Sequence, residues 1–196
     1  MPKPLVKLNG EAMIDRLIRI FVANHAESVS VIVNEEMKEV QEHLKSLSLP
    51  VPLHLVIKST PSSMHSFFEL SPSLEGGKFC LTTVDTIFKE DEFASYIKAF
   101  EQDDVHDGLM AVTDYIDDEK PLYVATDPSL SVTGFMDSAY PGARYISGGI
   151  YCLNQAGIHT LHGCMNVGVS RMRNYQRRLV EEGVRLKAYP FSKIID

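Results

Sequence analysis

Apolar residues recur at helical spacing through the first part of the chain, with Met13, Ile14, Leu17, Ile18, Phe21 and Val22 separated by Glu11, Asp15, Arg16 and Arg19. This pattern predicts one helix over 10–25 with a single buried stripe. The period then changes. SVSVIV (28–33) and LHLVIK (53–58) are short, β-branched, nearly continuous apolar runs, as expected of strands covered on both faces. NEEMKEVQEHLKSL (34–47) returns to helical spacing, with Asn34 placed to cap it. A short helix follows at 61–70, a strand in GKFCLTTVD (77–85), and a helix around 90–100. Strands alternating with helices of this length indicate a parallel α/β sheet.

After residue 105 the alternation stops. GLMAVTDYI, LYVATD, LSVTGF and YISGGIYCL read as strands separated only by turn residues, so antiparallel or mixed strands join the core. NQAGIHTLHGCM and VGVSRMRNYQRRLVEEG read as two helices, and VRLKAYPF as a last strand with Pro190 near its end. The sum is a Rossmann-like α/β core with an added β region, expected as a single domain over 1–196.

Composition narrows the class. The chain has 196 residues, 44% hydrophobic and 23% charged, enough for one well-buried core. Its net charge of -7 disfavours nonspecific binding to nucleic acid or to an anionic membrane. Cys80, Cys152 and Cys164 lie scattered in apolar runs and read as free thiols of a reducing compartment. Without an 18-residue apolar run or a signal-peptide core, the expected setting is cytoplasmic.

Ligands of parallel α/β sheets bind at the carboxyl ends of the strands, so the polar strand ends are the places for chemistry. Strand 77–85 ends in Thr82, Thr83 and Asp85. A carboxylate there either ligates Mg²⁺, a hard cation that takes oxygen ligands, or caps the following turn. Lys3, between Pro2 and Pro4, is either a positioned phosphate ligand or a solvated terminal lysine. His159, His162 and Cys164 share a stretch but have no second cluster at zinc spacing. The basic run at 171–187 is interrupted by Glu181 and Glu182, and reads as a solvated helix face. Asp114, Asp117, Asp118 and Glu119 read as a soluble loop.

Five segments in order carry a family resemblance. PKPLVKLNGEAMIDRLI resembles the stretch after the glycine-rich signature of sugar-1-phosphate nucleotidylyltransferases and related cytidylyltransferases. SVSVIVN is similar to that family's second strand, and KSTPSSMHSF (58–67) to its base-binding turn and helix. LTTVDTIF resembles the G-D-x-x-F metal segment with Val84 in place of Gly, and YISGGIYCLN (145–154) the N-x-G-I-Y-x-L strand with Ser147 or Gly148 near the Asn. KIID ends where the family has a second acidic metal site. The resemblance implies a Rossmann-like nucleotidyltransferase fold with a mostly parallel sheet flanked by helices. The implied reaction is attack of a sugar 1-phosphate, or a similar phosphomonoester, on an NTP with release of pyrophosphate. It implies Mg²⁺ on Asp85 and Asp196, with Lys3 and Asp85 as catalytic residues. Thr60, Ser62, Ser63 and Thr83 would bind the nucleotide, and Ser147, Gly148 and Gly149 the acceptor.

The family's first strand and its G-x-G-x-R-L-x-P-x-T loop would stand ahead of Met1, about 20–25 residues. The 196-residue chain is therefore expected to fold but to turn over little, and to leave a strand edge open to rearrangement or to a homo-oligomer contact. The family's E-K-P segment is also displaced. Glu119-Lys120-Pro121 precedes the LYVATD strand and reads as a hairpin turn, whereas GFMDSAY (134–140), at the expected place, has Asp137 and no Lys. This departure leaves room for a cytidylyltransferase acting on phosphocholine or a similar alcohol phosphate, and the missing loop for a noncatalytic nucleotide-binding or regulatory module.

Overall fold

A computed structural model describes residues 1–195 and divides into two compact units, 1–74 and 75–196. Asp196, one of the expected metal ligands, lies outside the described residues.

In the first unit a one-turn 3-10 helix, Lys3–Leu5, leads into β1 (Lys7–Leu8) and β2 (Glu11–Ala12). These two short strands form a hairpin that the helical pattern hid. Its two-residue loop is Asn9-Gly10, with φ of 52° and 85°, the positive values a type I′ turn requires. Helix α1 (Met13–Ala23) therefore starts later than expected, and buries Met13, Ile14, Leu17, Ile18 and Ile20. Phe21 and Val22 are only half-buried.

Strand β3 (Val29–Val33), helix α2 (Lys38–Ser46) and strand β4 (Leu53–Ile57) form a βαβ unit, with β3 and β4 parallel from Val29↔Leu53 to Val33↔Ile57. Helix α3 (Ser63–Leu70) follows and runs into a 3-10 turn, Ser71–Leu74. Both α1 and α3 pack on β3. Asn34 does not cap α2, whose first residue, Lys38, follows Met37 with no side-chain cap. Its Oδ1 instead accepts the Glu36 N–H at 2.8 Å, an Asx turn that ends β3 before the helix begins.

The second unit contains β5 (Phe79–Thr82), β6 (Ile87–Phe88), α4 (Glu90–Gln102), β7 (Gly108–Thr113), β8 (Tyr123–Thr126), β9 (Val132–Met136), β10 (Tyr145–Leu153), α5 (Gln155–Asn166), α6 (Met172–Glu181), β11 (Leu186–Phe191) and β12 (Ile194–Ile195). Its six-stranded sheet has the order β11-β7-β10-β8-β9, with β5 also on β10. β11 and β7 are parallel, while β10 runs antiparallel to β7, β8 and β5. Pro190 is tolerated because β11 lies at the end of this order, where a missing donor costs least. Every residue of β7 is buried, which accounts for its unbroken apolar run.

The segment between β7 and β8 is a crossover, since β10 lies between the two strands. Glu119-Lys120-Pro121 in that segment is therefore not a hairpin turn. Cys152 and Cys164 are buried and Cys80 half-buried, and all three are free thiols. No described helix is long and apolar enough to cross a membrane.

Two outcomes test this frame. Gly10 has open space around it, so Gly10→Ala meets no clash and costs only the left-handed backbone, about 1–2 kcal/mol, read as a lower urea midpoint at unchanged slope. The second concerns the end of α4, where Asp103 accepts the Val105 and His106 N–H groups at 2.8 Å each and lies 2.7 Å from His106 Nδ1. Partial burial pushes its carboxyl up, but these hydrogen bonds and the His106 ring outweigh it and bring the pKa down to about 2. A pKa depressed on folding stabilises above the unfolded value and is lost as pH falls from about 4 to about 2. Asp103→Asn should flatten the urea midpoint across that window.

Candidate functional site

In the second unit the expected residues fall on two neighbouring features, a turn after β5 and an irregularity within β10. The Thr83-Val84-Asp85-Thr86 turn is closed by the Thr86 N–H to the Thr83 carbonyl at 3.4 Å, and by the two threonine hydroxyls 2.8 Å apart. Thr86 is buried and Thr83 exposed, and the half-buried Asp85 occupies the third position of the turn. β6 follows immediately and pairs antiparallel with β12, Ile87 opposite Ile195. The last described residue thus lies opposite a residue two positions after Asp85.

Ser147, Gly148 and Gly149 form the centre of a β-bulge. Ser147 pairs with Val112 and Tyr151 with Met110, so four steps along β10 match two along β7. Two residues more than the partner must be accommodated, and glycine makes this feasible. Gly149 has a φ of 76°. Gly148 is buried, and a Cβ there would meet Ile194 Cδ1 at 2.3 Å. At this bulge β10 also changes its other neighbour, from β8 at Tyr145–Ile146 to β5 at Ile150–Leu153.

Polar contacts hold the irregular stretch. Thr82 Oγ1 donates to the Gly149 carbonyl at 3.1 Å, and the Ser147 N–H donates to the Leu122 carbonyl at 2.8 Å. Ser147 Oγ donates to Gln176 Oε1 at 3.3 Å. The Tyr96 hydroxyl, on α4, donates to the Leu109 carbonyl at 2.5 Å and accepts the Cys152 N–H at 3.0 Å. Burial first, then the nearby thiols of Cys152 and Cys80, push the Tyr96 pKa well up, so it stays a donor.

In the first unit the expected base-binding residues gather at the start of α3. Ser62 caps it, its Oγ accepting the His65 N–H at 3.4 Å and lying 2.7 Å from His65 Nδ1. Thr60 Oγ1 donates to the Ser62 carbonyl at 3.2 Å and lies 2.6 Å from Ser66 Oγ, and Ser63 is exposed. At the carboxyl ends of β3 and β4, Ser59 Oγ donates to Asn34 Oδ1 at 3.0 Å. Lys3 is exposed in its 3-10 turn, with Pro2 ahead of it and Pro4 behind.

No protein-family model matches the sequence, and no curated protein sequence matches it. Solved structures match it throughout. The inositol-1-phosphate CTP transferase from T. maritima aligns with 100% of this chain and 79% of its own, at 18% identity and a TM-score of 0.80. A putative glucose-1-phosphate thymidylyltransferase from Bacillus anthracis, in complex with a sucrose, covers 99% of this chain and 80% of its own at 14% identity and a TM-score of 0.83. CMP:2-keto-3-deoxy-manno-octonic acid synthetase, complexed with CTP, covers 98% and 84% at 13% identity and a TM-score of 0.73. The chain has a nucleotidyltransferase fold.

Within each unit, polar contacts stand beside the expected residues that the sequence pattern did not assign to a site. Asn34 and Ser59 tie together the ends of β3 and β4, and a polar residue directly after each apolar run was the available signal. Gln176 is buried against Ser147, and nothing in a basic helix marks one glutamine. Arg173 Nη1 and Arg177 Nη2 converge on Asp137 at 2.8 and 2.6 Å, and Arg173 also donates to the Lys120 carbonyl at 3.0 Å. The Arg177 guanidinium, then that of Arg173, hold the Asp137 carboxyl below the usual range. The basic run is thus partly spent on pairing the GFMDSAY and E-K-P segments.

Gly148→Ala tests the bulge geometry. The new Cβ must displace Ile194 Cδ1, at a cost of about 1–3 kcal/mol. Ile194→Val removes that one atom, so the double variant should recover about 1 kcal/mol relative to the sum of the single changes. Additive urea midpoints would refute the contact.

Proposed function

We propose that the protein is a nucleotidyltransferase that moves a nucleotidyl group from an NTP to a sugar 1-phosphate and releases pyrophosphate. The observation that carries this reading is the glycine bulge of β10, bonded through Gly149 to Thr82, one residue before the turn that bears Asp85. The end-to-end match to nucleotidyltransferase folds supports it. Bulges recur beside active sites because they re-aim a strand locally.

In this reading an acceptor phosphate oxygen forms a bond to the α-phosphorus as the bond to the bridging oxygen of pyrophosphate breaks. Positioning and charge neutralisation do most of the work. The Lys3 ammonium neutralises phosphate charge. Thr60, Ser62 and Ser63 contact the nucleotide through hydroxyls and the first-turn N–H groups of α3. Thr83 is assigned to the nucleotide on the family resemblance of its segment. Ser147, Gly148 and Gly149 offer backbone groups and a hydroxyl to the acceptor, and the absence of bulky side chains at the two glycines lets it approach closely.

Among the described residues no group of three or more His, Cys, Asp or Glu forms a metal cage. The half-buried Asp85 carboxylate on a tight turn fits Mg²⁺ nonetheless, because that ion keeps several waters and is held by one or two carboxylates plus substrate phosphates. Asp85, with Asp196, would hold it, and bound Mg²⁺ supplies charge stabilisation for the transferring phosphoryl group.

A specific observation favours a second acceptor class. GFMDSAY carries Asp137 paired to two arginines where the family places a sugar-phosphate lysine, and one structural neighbour is an inositol-1-phosphate CTP transferase. An alcohol phosphate with CTP is therefore the alternative substrate pair.

The test is pyrophosphate release with each of the four NTPs against sugar 1-phosphates, inositol 1-phosphate and phosphocholine. Asp85→Asn should abolish Mg²⁺-dependent nucleotide binding while leaving folding nearly intact, read as a retained cooperative urea transition. An unaltered Mg²⁺–nucleotide titration in that variant would remove Asp85 from the site.

A further inference from the structure

We propose that Tyr96 is a positioning residue for the acceptor side of the site, its hydroxyl fixing the backbone orientation of the β10 bulge; this rests on the nucleotidyltransferase reading. The bulge breaks the regular ladder between Ser147↔Val112 and Tyr151↔Met110, so backbone groups beside it need other partners. Just past the bulge, where the register has resumed at Cys152↔Leu109, the Tyr96 hydroxyl joins the Leu109 carbonyl of β7 to the Cys152 N–H of β10, with the Ile150 carbonyl 3.4 Å away.

The orientation follows from alternation along the strand. Ile150 and Cys152 turn their backbone polar groups toward Tyr96, and Gly149 turns its carbonyl the other way, to Thr82 Oγ1. A strand held on one side at 152 and on the other at 149 has its glycine segment restrained from both sides. The peptides of that segment, at Gly148 and Gly149, are the groups assigned to the acceptor.

Tyr96 is suited to this because it cannot move. Its side chain is 0% exposed, with Phe93, Tyr189 and Phe191 rings at 6.1, 5.3 and 5.3 Å. Packing alone would be served by phenylalanine, so the hydroxyl is the informative atom. Tyr175 provides a matched control. It is also fully buried, and its hydroxyl donates at 2.8 Å to the Gly157 carbonyl, joining α6 to α5 rather than to the β10 backbone.

The experiment compares wild type, Tyr96→Phe, Tyr175→Phe and Thr82→Val. Amide hydrogen exchange is followed over 147–153, and affinities for NTP and acceptor phosphate are measured separately by calorimetry. Tyr96→Phe should speed exchange at Gly149–Cys152 and weaken acceptor binding about ten-fold, leaving NTP affinity within about two-fold. Thr82→Val, which touches no core ring, should weaken acceptor binding in the same direction and keeps the test decisive should Tyr96→Phe not fold. Tyr175→Phe should lower stability without either effect. Acceptor affinity unchanged in both Tyr96→Phe and Thr82→Val, or lowered equally in Tyr175→Phe, overturns the positioning role and leaves the nucleotidyltransferase reading intact. A wild-type protein that binds neither NTP nor any acceptor phosphate overturns that reading, and the role of Tyr96 with it.

Discussion

A strand buried in a sheet must satisfy every backbone donor and acceptor, and β10 must do so while changing neighbours midway. It pairs with β8 at its first residues and with β5 at its last, and keeps β7 along its other side. The bulge at Ser147–Tyr151 absorbs the mismatch, and the surrounding architecture serves it. Helix α4 brings the Tyr96 hydroxyl to the ladder, α6 brings Gln176 to Ser147, and β12 returns Ile194 against Gly148. Each contact comes from a different part of the sequence, so the local geometry is a product of the unit's global fold.

The chain's alternation of short apolar runs with amphipathic segments was enough to reveal the βαβ unit of β3, α2 and β4, and the helices α1, α3 and α4. Long periodic segments carry that information because burial imposes it at every turn. Two local errors have plain causes. Asn34 was assigned to a helix cap because capping residues are also Asx-turn formers, and only the distance to Lys38 separates the two uses. The Asn9-Gly10 hairpin was absorbed into the helix before which it stands, although Asn-Gly between apolar residues is a strong hairpin signal. The crossover position of Glu119-Lys120-Pro121 was beyond reach, because strand order is not written in local patterning.

For the candidate site, Ser147, Gly148 and Gly149 were singled out by the family resemblance of their strand, and their local geometry was not legible. Two glycines in a strand mark a bulge, a bend or a close approach, and the choice depends on neighbours far along the chain. Here Gly148 is a close approach to Ile194 and Gly149 a left-handed residue, so adjacent glycines answer different constraints. Asp85 was singled out as a polar residue at a strand end, and its turn is built by threonine hydroxyls that a composition-level reading treats as background. Tyr96 was one apolar position in a helical stripe. Its ring obeys the stripe, and only its oxygen departs from it.

The contact between Ile194 and Gly148 has a consequence for synthesis. A chain emerging from the ribosome presents β10 well before β12, so the bulge is first made with one wall missing. β11 must also find β7 across α5 and α6 before β12 can reach β6. Pairings this distant in sequence are slow to form, because loop closure precedes the contacts that reward it. The glycine segment therefore reaches its final shape only after the last strands have docked. Until then Gly148 lacks the wall that Ile194 provides, and the bulge of a nascent chain stays unfinished until its last strands are made.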